Sequence, residues 1–434
     1  MQPERIIVIG AGAAGLMAAY ELVKEGKEVI ILEGRERVGG RIHTLSNNAF
    51  SHPVESGAEF IHGALPVTLQ LLKEAGIEYE AVSGSVWQIR SGMLQQEEAF
   101  YENQALLEER LRELQRDMTV EDFINAFFSD EKHAAIRAYI TGFAEGYDAA
   151  DIKRASIFAL RDEWMNEEAG ANFRVKGGYI KMIDFLLAEC LARGVMLQLH
   201  ATVKEVTWSG NEVMVSCRNG KQFTGNKVII TVPLGVLLQQ AGGESAISFT
   251  PEITDARNAI AKMGFGKVIK VLIEFRTAFW KQGDTTKRVG RDGRDLSFLI
   301  SDAPIPTWWT QHPEQSTLLT GWLAGPAAGK WQITSEEFIL EHAMQSLAAI
   351  FGTENDELKK MVVASQVANW AADEYTLGAY AYATLDTTQA IDTLNNSVGD
   401  TLFFAGEAFY LGPAMGTVEA ALTSAIAVSK QILQ

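Results

Sequence analysis

Residues 5–15, RIIVIGAGAAG, decide the fold of this chain. The apolar run Arg5–Ile9 is typical of a buried parallel strand, and the glycines after it have the GxGxxG spacing that lets a backbone approach a pyrophosphate. An Ala- and Leu-rich stretch follows, and its first N–H groups are expected to point at that anion. A second strand, Val29–Leu32, ends in Glu33, which is placed to accept hydrogen bonds from a ribose. The pattern predicts a doubly wound α/β domain that binds a dinucleotide.

Arginines and a second glycine pair follow Glu33 and indicate which dinucleotide is bound. Arg35 and the stretch ERVGGR at 36–41 place guanidinium groups beside the pyrophosphate. Arginine suits a diphosphate because its planar fork donates two hydrogen bonds and stays charged. Arg41 is the stronger candidate, whereas a solvated surface charge explains Arg37 equally well. This string after a ribose-binding glutamate resembles the flavin amine oxidase superfamily, whose cofactor is FAD.

Length and composition indicate a large soluble enzyme. A chain of 434 residues allows roughly two to three domains, and 47% hydrophobic with 21% charged residues is ordinary for a globular protein. Cys190 and Cys217 provide neither a disulfide framework nor metal-ligand spacing, so no metal is expected. The net charge of −17 argues against nucleic acid or an anionic membrane as a partner and modestly favours a cationic substrate.

Two further features bear on location. The first predicted strand begins at the fifth residue, which leaves no room for a signal peptide. The sequence has no run of 18 apolar residues and ends just after a predicted helix, without the tail that membrane-anchored amine oxidases carry. We therefore expect a cytoplasmic protein.

The order of strand and helix patterns predicts a discontinuous organisation. A Rossmann-like FAD-binding domain of the glutathione-reductase type takes residues 1–80, 175–250 and 396–434, and an α+β substrate domain takes 81–174 and 251–395. Apolar residues recur at helical spacing between 95 and 168, which predicts a helical insert in the substrate domain. Substrate specificity is expected to reside in this insert.

The C-terminal region contains a second motif. Leu402–Phe404 is an apolar strand followed by Ala-Gly-Glu, a loop and a helix that begins near Thr417. This arrangement resembles the C-terminal FAD motif of the amine oxidases. A helix N-terminus there would stabilise the negative charge that hydride transfer leaves on the flavin. The resemblance implies that Glu407 binds the ribityl hydroxyls.

Lys270 is the leading candidate for chemistry. It lies in a predicted strand, Lys267–Phe275, between Ile269 and Val271, where an ammonium is costly unless it has a role. The segment resembles the one in flavin amine oxidases whose lysine holds a water against flavin N5. Lys267 lies on the opposite face and is expected to be the solvent-facing lysine, while a strand-edge charge is the alternative for Lys270.

An aromatic segment, WAADEYTLGAY at residues 370–380, also resembles the family. The resemblance implies that Tyr380 stands over the flavin and helps to sandwich the amine, since an aromatic face attracts a cation. Core packing is the alternative for Tyr380 and for Trp370. Ala379 occupies the position of the cysteine that monoamine oxidases bond to the flavin, so FAD is expected to be bound non-covalently.

The second wall of that sandwich is expected in the loop after Glu407. The family pattern places Pro413 or Ala414 there, and Phe409 and Tyr410 are nearby aromatic substitutes. This departure leaves the aromatic cage as the least defined part of the site.

Residues 55–63, ESGAEFIHG, bear on the substrate class. They resemble the flavin-edge loop of polyamine oxidases and histone lysine demethylases. L-amino acid oxidases usually carry an arginine near the position of Phe60. The resemblance implies that Phe60 and His62 line the substrate path, with a structural role as the alternative for His62.

Taken together, the resemblance implies an FAD-dependent amine oxidase. A primary or secondary amine, whether a monoamine or a polyamine, would be oxidised to an imine and then an aldehyde, with O2 reduced to H2O2. Its predicted catalytic residues are Lys270 and Tyr380, and its predicted substrate residues are Phe60, His62, Tyr380 and Tyr410. The predicted cofactor-binding residues are Gly10, Gly12, Ala14, Gly15, Glu33, Gly34, Arg35, Gly40, Arg41, Gly57, Ala58, Glu59, Val203, Trp370, Gly406, Glu407, Thr417 and Val418.

Alternative functions share the same cofactor motifs. They are a flavin desaturase or protoporphyrinogen-oxidase-like dehydrogenase, an L-amino acid oxidase, and a flavoprotein scaffold without turnover. Lys270 and Tyr380 argue against the desaturase. The sequence assigns neither the particular amine nor an oligomeric state.

Overall fold

The computed structural model describes residues 4–46, 49–90, 93–94, 98–165, 171–240, 242–282 and 293–434. Its α-helices are α1 (Ala13–Lys24), α2 (Pro66–Glu74), α3 (Glu98–Glu113), α4 (Val120–Phe127), α5 (Ala134–Gly146), α6 (Ile157–Trp164), α7 (Ile180–Ala192), α8 (Leu234–Leu237), α9 (Thr254–Lys262), α10 (Gly325–Lys330), α11 (Glu336–Phe351), α12 (Asn355–Met361), α13 (Thr387–Leu394) and α14 (Val418–Leu433). Short 3-10 turns cover Glu131–His133, Phe279–Lys281 and Glu407–Phe409.

The strands are β1 (Arg5–Ile9), β2 (Glu28–Leu32), β3 (Thr44–Leu45), β4 (Val54–Glu55), β5 (Phe60–His62), β6 (Tyr79–Ala81), β7 (Ser85–Arg90), β8 (Met93–Leu94), β9 (Asn172–Val175), β10 (Met196–Gln198), β11 (Val203–Ser209), β12 (Glu212–Cys217), β13 (Gln222–Gly225), β14 (Lys227–Ile230), β15 (Ser248–Thr250), β16 (Gly264–Phe265), β17 (Val268–Phe275), β18 (Leu296–Ser301), β19 (Thr307–Trp309), β20 (Leu318–Ala324), β21 (Val362–Asn369), β22 (Ala381–Tyr382) and β23 (Leu402–Phe404).

A parallel sheet in the order β10–β2–β1–β14–β23 supports the cofactor motifs. Strands β1, β2, β14 and β23 are mostly apolar and buried because both faces of the sheet are covered there, as is usual for parallel sheets, whereas the edge strand β10 is partly exposed. Ile6 and Val8 of β1 pack with α1, α7 and α14 on one face, and Ile7 and Ile9 pack toward β11 and β12 on the other. The predicted α/β fold is confirmed, and strands predicted hundreds of residues apart are neighbours in this sheet.

A second large sheet, β21–β17–β20–β19–β18–β7–β8, carries Lys270 at its centre. β17 pairs antiparallel with both β20 and β21, and every residue of Val268–Phe275 is buried. The strand begins one residue later than predicted, so Lys267 lies just outside it. Lys267 is half-buried and donates a hydrogen bond to Gln332, so it is more exposed than Lys270, as predicted, but it is not fully solvated. The alternation of side chains along a strand does not predict full exposure here, because both faces of β17 are covered.

The helical periodicity after residue 95 is confirmed where the structure describes it. Helices α3 to α6 form their own apolar cluster, which includes Leu111, Phe123, Ile140 and Ile157. Residues 95–97 and 166–168 of the predicted insert lie outside the described residues. Among the helices that the structure describes, none combines the length and apolarity needed to cross a membrane. The division into two discontinuous domains stays a prediction.

Candidate active site

The glycine-rich turn after β1 brings α1 close to the strand end. Gly10 has φ +108°, which favours glycine, and a Cβ on Gly15 would lie 2.0 Å from the Gly10 carbonyl oxygen. Gly12 is the N-cap of α1, and Ala14 lies in the first turn. The first N–H groups of a helix have no partner within the helix and suit a phosphate. The turn therefore fits a bound dinucleotide.

Glu33 is fixed at the carboxyl end of β2, beside this turn. Its Oε2 accepts a hydrogen bond from Ala11 N at 2.8 Å, and its Oε1 accepts one from Arg35 N at 2.9 Å. Its backbone oxygen accepts from Ala201 N, two residues before the buried Val203. The geometry places a carboxylate where the ribose was predicted, although its contact with a ribose stays a prediction.

Arg35 has a counter-charge from a segment that is distant in sequence. Its Nη1 lies 2.9 Å from Asp373 Oδ2, and its guanidinium carbon lies 5.0 Å from the centre of the Tyr375 ring. A Cβ on Gly34 would lie 2.5 Å from that ring, so the close approach requires glycine. Asp373 compensates the charge of Arg35, and the pyrophosphate contact assigned to Arg35 from sequence stays a prediction.

Arg37 is not a solvated surface charge. It is half-buried and donates to the carbonyl oxygens of Val38 at 3.1 Å and Gly40 at 2.9 Å. Burial and the nearby Arg35 lower the pKa of its guanidinium to about 10. Arg37 therefore shapes the second glycine pair, in which Gly39 and Gly40 both have positive φ.

Arg41 joins three predicted motifs. Its Nη1 lies 2.6 Å from Glu407 Oε1 and 2.6 Å from the carbonyl oxygen of Ala379. Glu407 Oε2 accepts from Ala381 N at 3.1 Å. The N-terminal arginine motif, the aromatic segment and the C-terminal motif thus meet at one ion pair.

The flavin-edge loop lies against the same arginine. A Cβ on Gly57 would lie 1.9 Å from the Arg41 carbonyl oxygen, which also accepts from Ala58 N at 3.0 Å. Trp370 Nε1 donates to the Ser56 carbonyl oxygen at 2.8 Å, and Trp370 is buried. The glycine at 57 is required by this close approach.

The C-terminal helix begins where it was predicted. Thr417 is the N-cap of α14, and its Oγ accepts from Ala420 N at 3.3 Å, while Val418 is the first helical residue. A Cβ on Gly416 would lie 2.9 Å from the Ala381 carbonyl oxygen and 3.4 Å from the Tyr380 ring. Gly406 lies two residues after the end of β23, and its N–H donates to the Ser424 hydroxyl. The positive end of α14 therefore lies beside Tyr380.

The first turn of α14 also binds the start of α2. The Glu419 carboxylate accepts from Val67 N at 2.9 Å and from both Thr68 N and Thr68 Oγ at 2.7 Å. Glu419 is buried. A side chain of one helix thus caps the N-terminus of another helix, which follows the flavin-edge loop.

Lys270 is buried in an ion pair. Its Nζ lies 2.7 Å from Glu59 Oε2 and 3.2 Å from the Gly57 carbonyl oxygen, and 1% of the residue is exposed. The centre of the Trp309 ring lies 5.3 Å from Nζ. The aliphatic neighbours of Lys270 along the strand did not predict its counter-charge, because Glu59 lies in the flavin-edge loop.

Glu59 has further donors around it. Its Oε1 accepts from Arg174 Nε at 2.9 Å, Trp309 Nε1 at 3.0 Å and Gln311 Nε2 at 3.3 Å. Burial raises the pKa of the Glu59 carboxyl, but the adjacent Lys270 and Arg174 outweigh burial and lower it to about 2. Both carboxylate oxygens therefore have protein donors, and the cofactor contact assigned to Glu59 from sequence stays a prediction.

Trp322 is the aromatic neighbour of Tyr380 that the sequence did not reveal. The two rings are close to parallel, at 16°, with centres 6.4 Å apart. Trp322 stands opposite Lys270 in the β17–β20 register, and the Tyr380 hydroxyl donates to the Tyr147 carbonyl oxygen. No motif marks Trp322, because its position depends on strand pairing.

The loop after Glu407 does not supply a clear second wall. Phe409 is 2% exposed and packs on Phe404 in the core, and Pro413 is exposed. Tyr410 is half-buried. Phe409 is therefore not a substitute wall, and the substrate contact of Tyr410 stays a prediction.

Phe60 and His62 continue from the lysine site toward the helical insert. The Phe60 ring centre lies 5.5 Å from that of Trp309 and 4.6 Å from the Arg174 guanidinium carbon. His62 Nδ1 lies 2.9 Å from Asn172 Oδ1 and 3.1 Å from the Tyr147 hydroxyl. Burial lowers the pKa of His62, which favours the neutral imidazole.

An acidic pair in the helical insert lies close to Tyr380. Asp148 and Glu163 are hydrogen-bonded to each other, and both are half-buried. Burial raises the pKa of Glu163 to about 7, and burial with repulsion from Glu163 raises the pKa of Asp148. The pair and Tyr147 help to raise the pKa of the Tyr380 hydroxyl, after burial itself. This end of the site therefore gains negative charge as the pH rises through about 7.

Comparisons with known proteins agree with this arrangement. Residues 13–433 match the family model described as flavin containing amine oxidoreductase. The chain is 24% identical to polyamine oxidase 4 of Oryza sativa subsp. japonica, over 99% of this chain and 88% of that protein. It is 28% identical to lysine-specific histone demethylase 1 homolog 3 of Arabidopsis thaliana, over 93% of this chain but only 28% of that longer protein.

Solved structures show the same fold. Wild-type putrescine oxidase bound to putrescine superimposes with a TM-score of 0.79 at 20% identity, and 99% of both chains is covered. At this identity the likeness concerns the fold.

Proposed function

Since the chain belongs to the family of flavin-containing amine oxidoreductases, we propose that it is an FAD-dependent amine oxidase. One series of contacts carries the proposal. Lys270 Nζ binds the Gly57 carbonyl oxygen, the Gly57 backbone packs on Arg41, and Arg41 pairs with Glu407. The residue proposed for chemistry is thereby joined to the residues proposed to hold the cofactor.

The cofactor is proposed to be FAD, bound without a covalent bond. The N-terminus of α1 and Arg41 would hold the diphosphate, Glu33 the ribose, and Glu407 with the N-terminus of α14 the flavin end. When bound, a flavin accepts a hydride from an amine and passes the electrons to O2. Ala379 has no thiol, and Cys190 and Cys217 are buried in the cores on either side of the parallel sheet.

The cofactor proposal can be tested by releasing the chromophore. Acid or heat precipitation is expected to leave the yellow colour in the supernatant, where chromatography identifies it as FAD. Colour that stays with the pellet would contradict non-covalent binding, and release of FMN would contradict the choice of cofactor.

The substrate is proposed to be a primary or secondary amine, more extended and cationic than an amino acid. The Asp148–Glu163 pair provides negative charge near Tyr380, and aromatic faces at Tyr380 and Trp322 favour a cation. Arg174 lies near Phe60, but its guanidinium is bound to Glu59. It also donates to the carbonyl oxygens of Thr310 and His312. It is therefore poorly placed to bind an amino-acid carboxylate.

The roles of the chain's own residues follow from this geometry. Tyr380 and Trp322 would orient the amine, and the N-terminus of α14 would stabilise negative charge on the flavin. Lys270 would provide a proton donor close to the reacting atoms. A desaturase acting on a lipophilic substrate is the weaker candidate, because that reaction requires neither the acidic pair nor the buried ammonium.

Rapid mixing under anaerobic conditions tests the proposal. An active mono-, di- or polyamine should bleach the flavin absorbance, and oxygen should restore it with release of H2O2. Rapid turnover of a common L-amino acid with all amines inert would contradict the substrate class. Bleaching without peroxide on reoxidation would contradict O2 as the acceptor. A cytoplasmic location and a lack of nucleic-acid partners also stay predictions.

A further inference from the structure

The ion pair between Lys270 and Glu59 joins two segments that lie far apart in sequence. Lys270 is central in β17, and Glu59 immediately precedes β5 in the flavin-edge loop. The two charged atoms are 2.7 Å apart, and the side chains are 1% and 3% exposed. Neither charged group is exposed to bulk water that could solvate it in place of its partner.

An ammonium has three N–H donors. Within the part of the chain that the structure describes, Glu59 and the Gly57 carbonyl oxygen accept two of them. The two acceptors lie two residues apart on one loop, so they fix the direction of the third donor. Gly57 itself packs on Arg41, which ties that direction to the proposed cofactor site.

We propose that Glu59 is a positioning residue that holds Lys270 as an ammonium beside the flavin. Lys270 then acts as a fixed positive charge and hydrogen-bond donor throughout turnover, and not as a neutral base. The inference rests on the proposed function only in placing Lys270 at the flavin. Neutralising either partner of such a pair would leave the other charge buried without compensation, which is costly.

The other charges around Lys270 are consistent with this role. Arg174, on β9, binds Glu59 Oε1, so two cations share one carboxylate. Glu55, on β4, interacts with Lys270 electrostatically, but its carboxyl is bound by Tyr179 N at 2.6 Å and by the Thr44 hydroxyl at 2.9 Å. Strands β19 and β20 add the uncharged indoles of Trp309 and Trp322. Glu59 is thus the carboxylate in direct contact with Lys270.

Glu59→Gln keeps the size of the side chain and removes its charge. Lys270 would then face Arg174 without the shared carboxylate, and the repulsion between the two cations would favour loss of the Lys270 proton in the variant. A charge that titrates beside a flavin shifts the flavin absorption bands. The flavin spectrum of the resting protein is therefore recorded from pH 6 to 10, with no amine present.

The wild type is expected to show only the change with pH that comes from Glu163 and Glu55, because burial raises the pKa of each to about 7. Glu59→Gln is expected to show an additional pH-dependent band shift. That additional shift should disappear in the double variant Glu59→Gln with Lys270→Met, because its source has been removed. Glu274→Gln is the matched control, since Glu274 is a buried glutamate on β17 that binds Ser51 and should leave the wild-type profile unchanged. A purely structural role for Glu59 would produce no shift that depends on Lys270.

The same variants remain informative if Glu59→Gln folds poorly. The unfolding temperature of the double variant should then exceed that of Glu59→Gln, because both members of the buried pair are removed together. A profile in folded Glu59→Gln identical to that of the wild type would overturn the inference, and so would a double variant no more stable than a poorly folded Glu59→Gln. Neither readout needs amine turnover, so either failure is distinguishable from failure of the proposed function.

Discussion

The Arg41 guanidinium and the Glu407 carboxylate lie 2.6 Å apart, although 366 positions separate them in sequence. This pair connects the second glycine motif to the C-terminal motif. Glu407 is nearly buried, whereas Arg41 retains partial exposure toward the proposed diphosphate site. Segments from both ends of the chain therefore meet at the proposed cofactor site.

Replacing Arg41 should weaken both the fold and cofactor binding. Arg41→Met leaves Glu407 buried without its counter-charge, which costs about 3 kcal/mol on the scale measured for broken buried pairs. Thermal unfolding and the ratio of flavin to protein after gel filtration check this outcome. Arg5→Gln is the control, because it breaks an exposed pair with Glu28 and should cost less than about 1 kcal/mol. Equal losses of stability in Arg41→Met and Arg5→Gln would contradict the prediction that Arg41 compensates a buried carboxylate.

A methyl group at Gly15 should abolish cofactor binding. Its Cβ would lie 2.0 Å from the Gly10 carbonyl oxygen, so Gly15→Ala must push α1 away from β1. Flavin content after purification measures the effect. Gly142→Ala is the control, because this helical glycine in α5 has open space around it and alanine favours a helix by up to about 1 kcal/mol. A Gly15→Ala protein with full flavin content would show that α1 does not contact the cofactor.

The two lysines near the start of β17 should differ in their effect on catalysis. Lys270→Met is expected to retain FAD but to slow flavin reduction, reoxidation or both by about 10²–10³-fold, the scale for removing a preorganised donor. Lys267→Met should change these rates little, because Lys267 lies outside the strand and binds Gln332. Stopped-flow measurement of each half-reaction separates the two steps. A crippled Lys267→Met beside an unaffected Lys270→Met would reverse the assignment.

Binding of a cationic substrate should strengthen as pH rises through 7. Burial raises the pKa of Glu163 to about 7, so the acidic pair gains negative charge between pH 6 and 8. The Kd of a probe with a quaternary ammonium at its distal end should fall by about tenfold over this range, since one proton is lost per bound cation. Glu163→Gln should flatten the profile, whereas Glu131→Gln, at the exposed end of the insert, should not.

The Asp148–Glu163 pair should strengthen substrate binding but lower the stability of the folded protein as the pH rises. Its carboxyl groups have raised pKa values in the folded protein, so the unfolded chain ionises first as pH rises. The free energy of unfolding should therefore decrease between about pH 4.5 and pH 7. Asp148→Asn is expected to reduce this decrease in thermal unfolding experiments.

The glycine turn after β1 and the start of α14 were predictable because their requirements are local. Gly10, Gly15 and the N-cap Thr417 act through nearby backbone, and the structure has the turn and the helix start at these residues, while their cofactor contacts stay predictions. Partners from distant segments were not predictable in this way. Asp373 pairs with Arg35 across 338 positions, and Glu59 pairs with Lys270 across 211.

The aromatic environment of the site was missed for a related reason. Trp322 faces Tyr380 only because β20 pairs with β17 in one particular register, and the sequence of β20 does not reveal that register. Phe409 is aromatic and lies near Glu407 in sequence, yet its side chain is part of the core. Nearness along the chain was a poor guide to which rings face the site.

Glu419 connects the start of the C-terminal helix to the start of α2. Its carboxylate, in the first turn of α14, holds the N-terminus of α2, which begins four residues after His62. With the flavin at the N-terminus of α14, as proposed, cofactor binding should order both helix starts together. Amide hydrogen exchange at residues 64–70 should therefore slow when the apoprotein takes up cofactor, and Glu419→Gln should uncouple the two events. Loading of the cofactor would then be reported by a segment that the proposed cofactor contacts do not include.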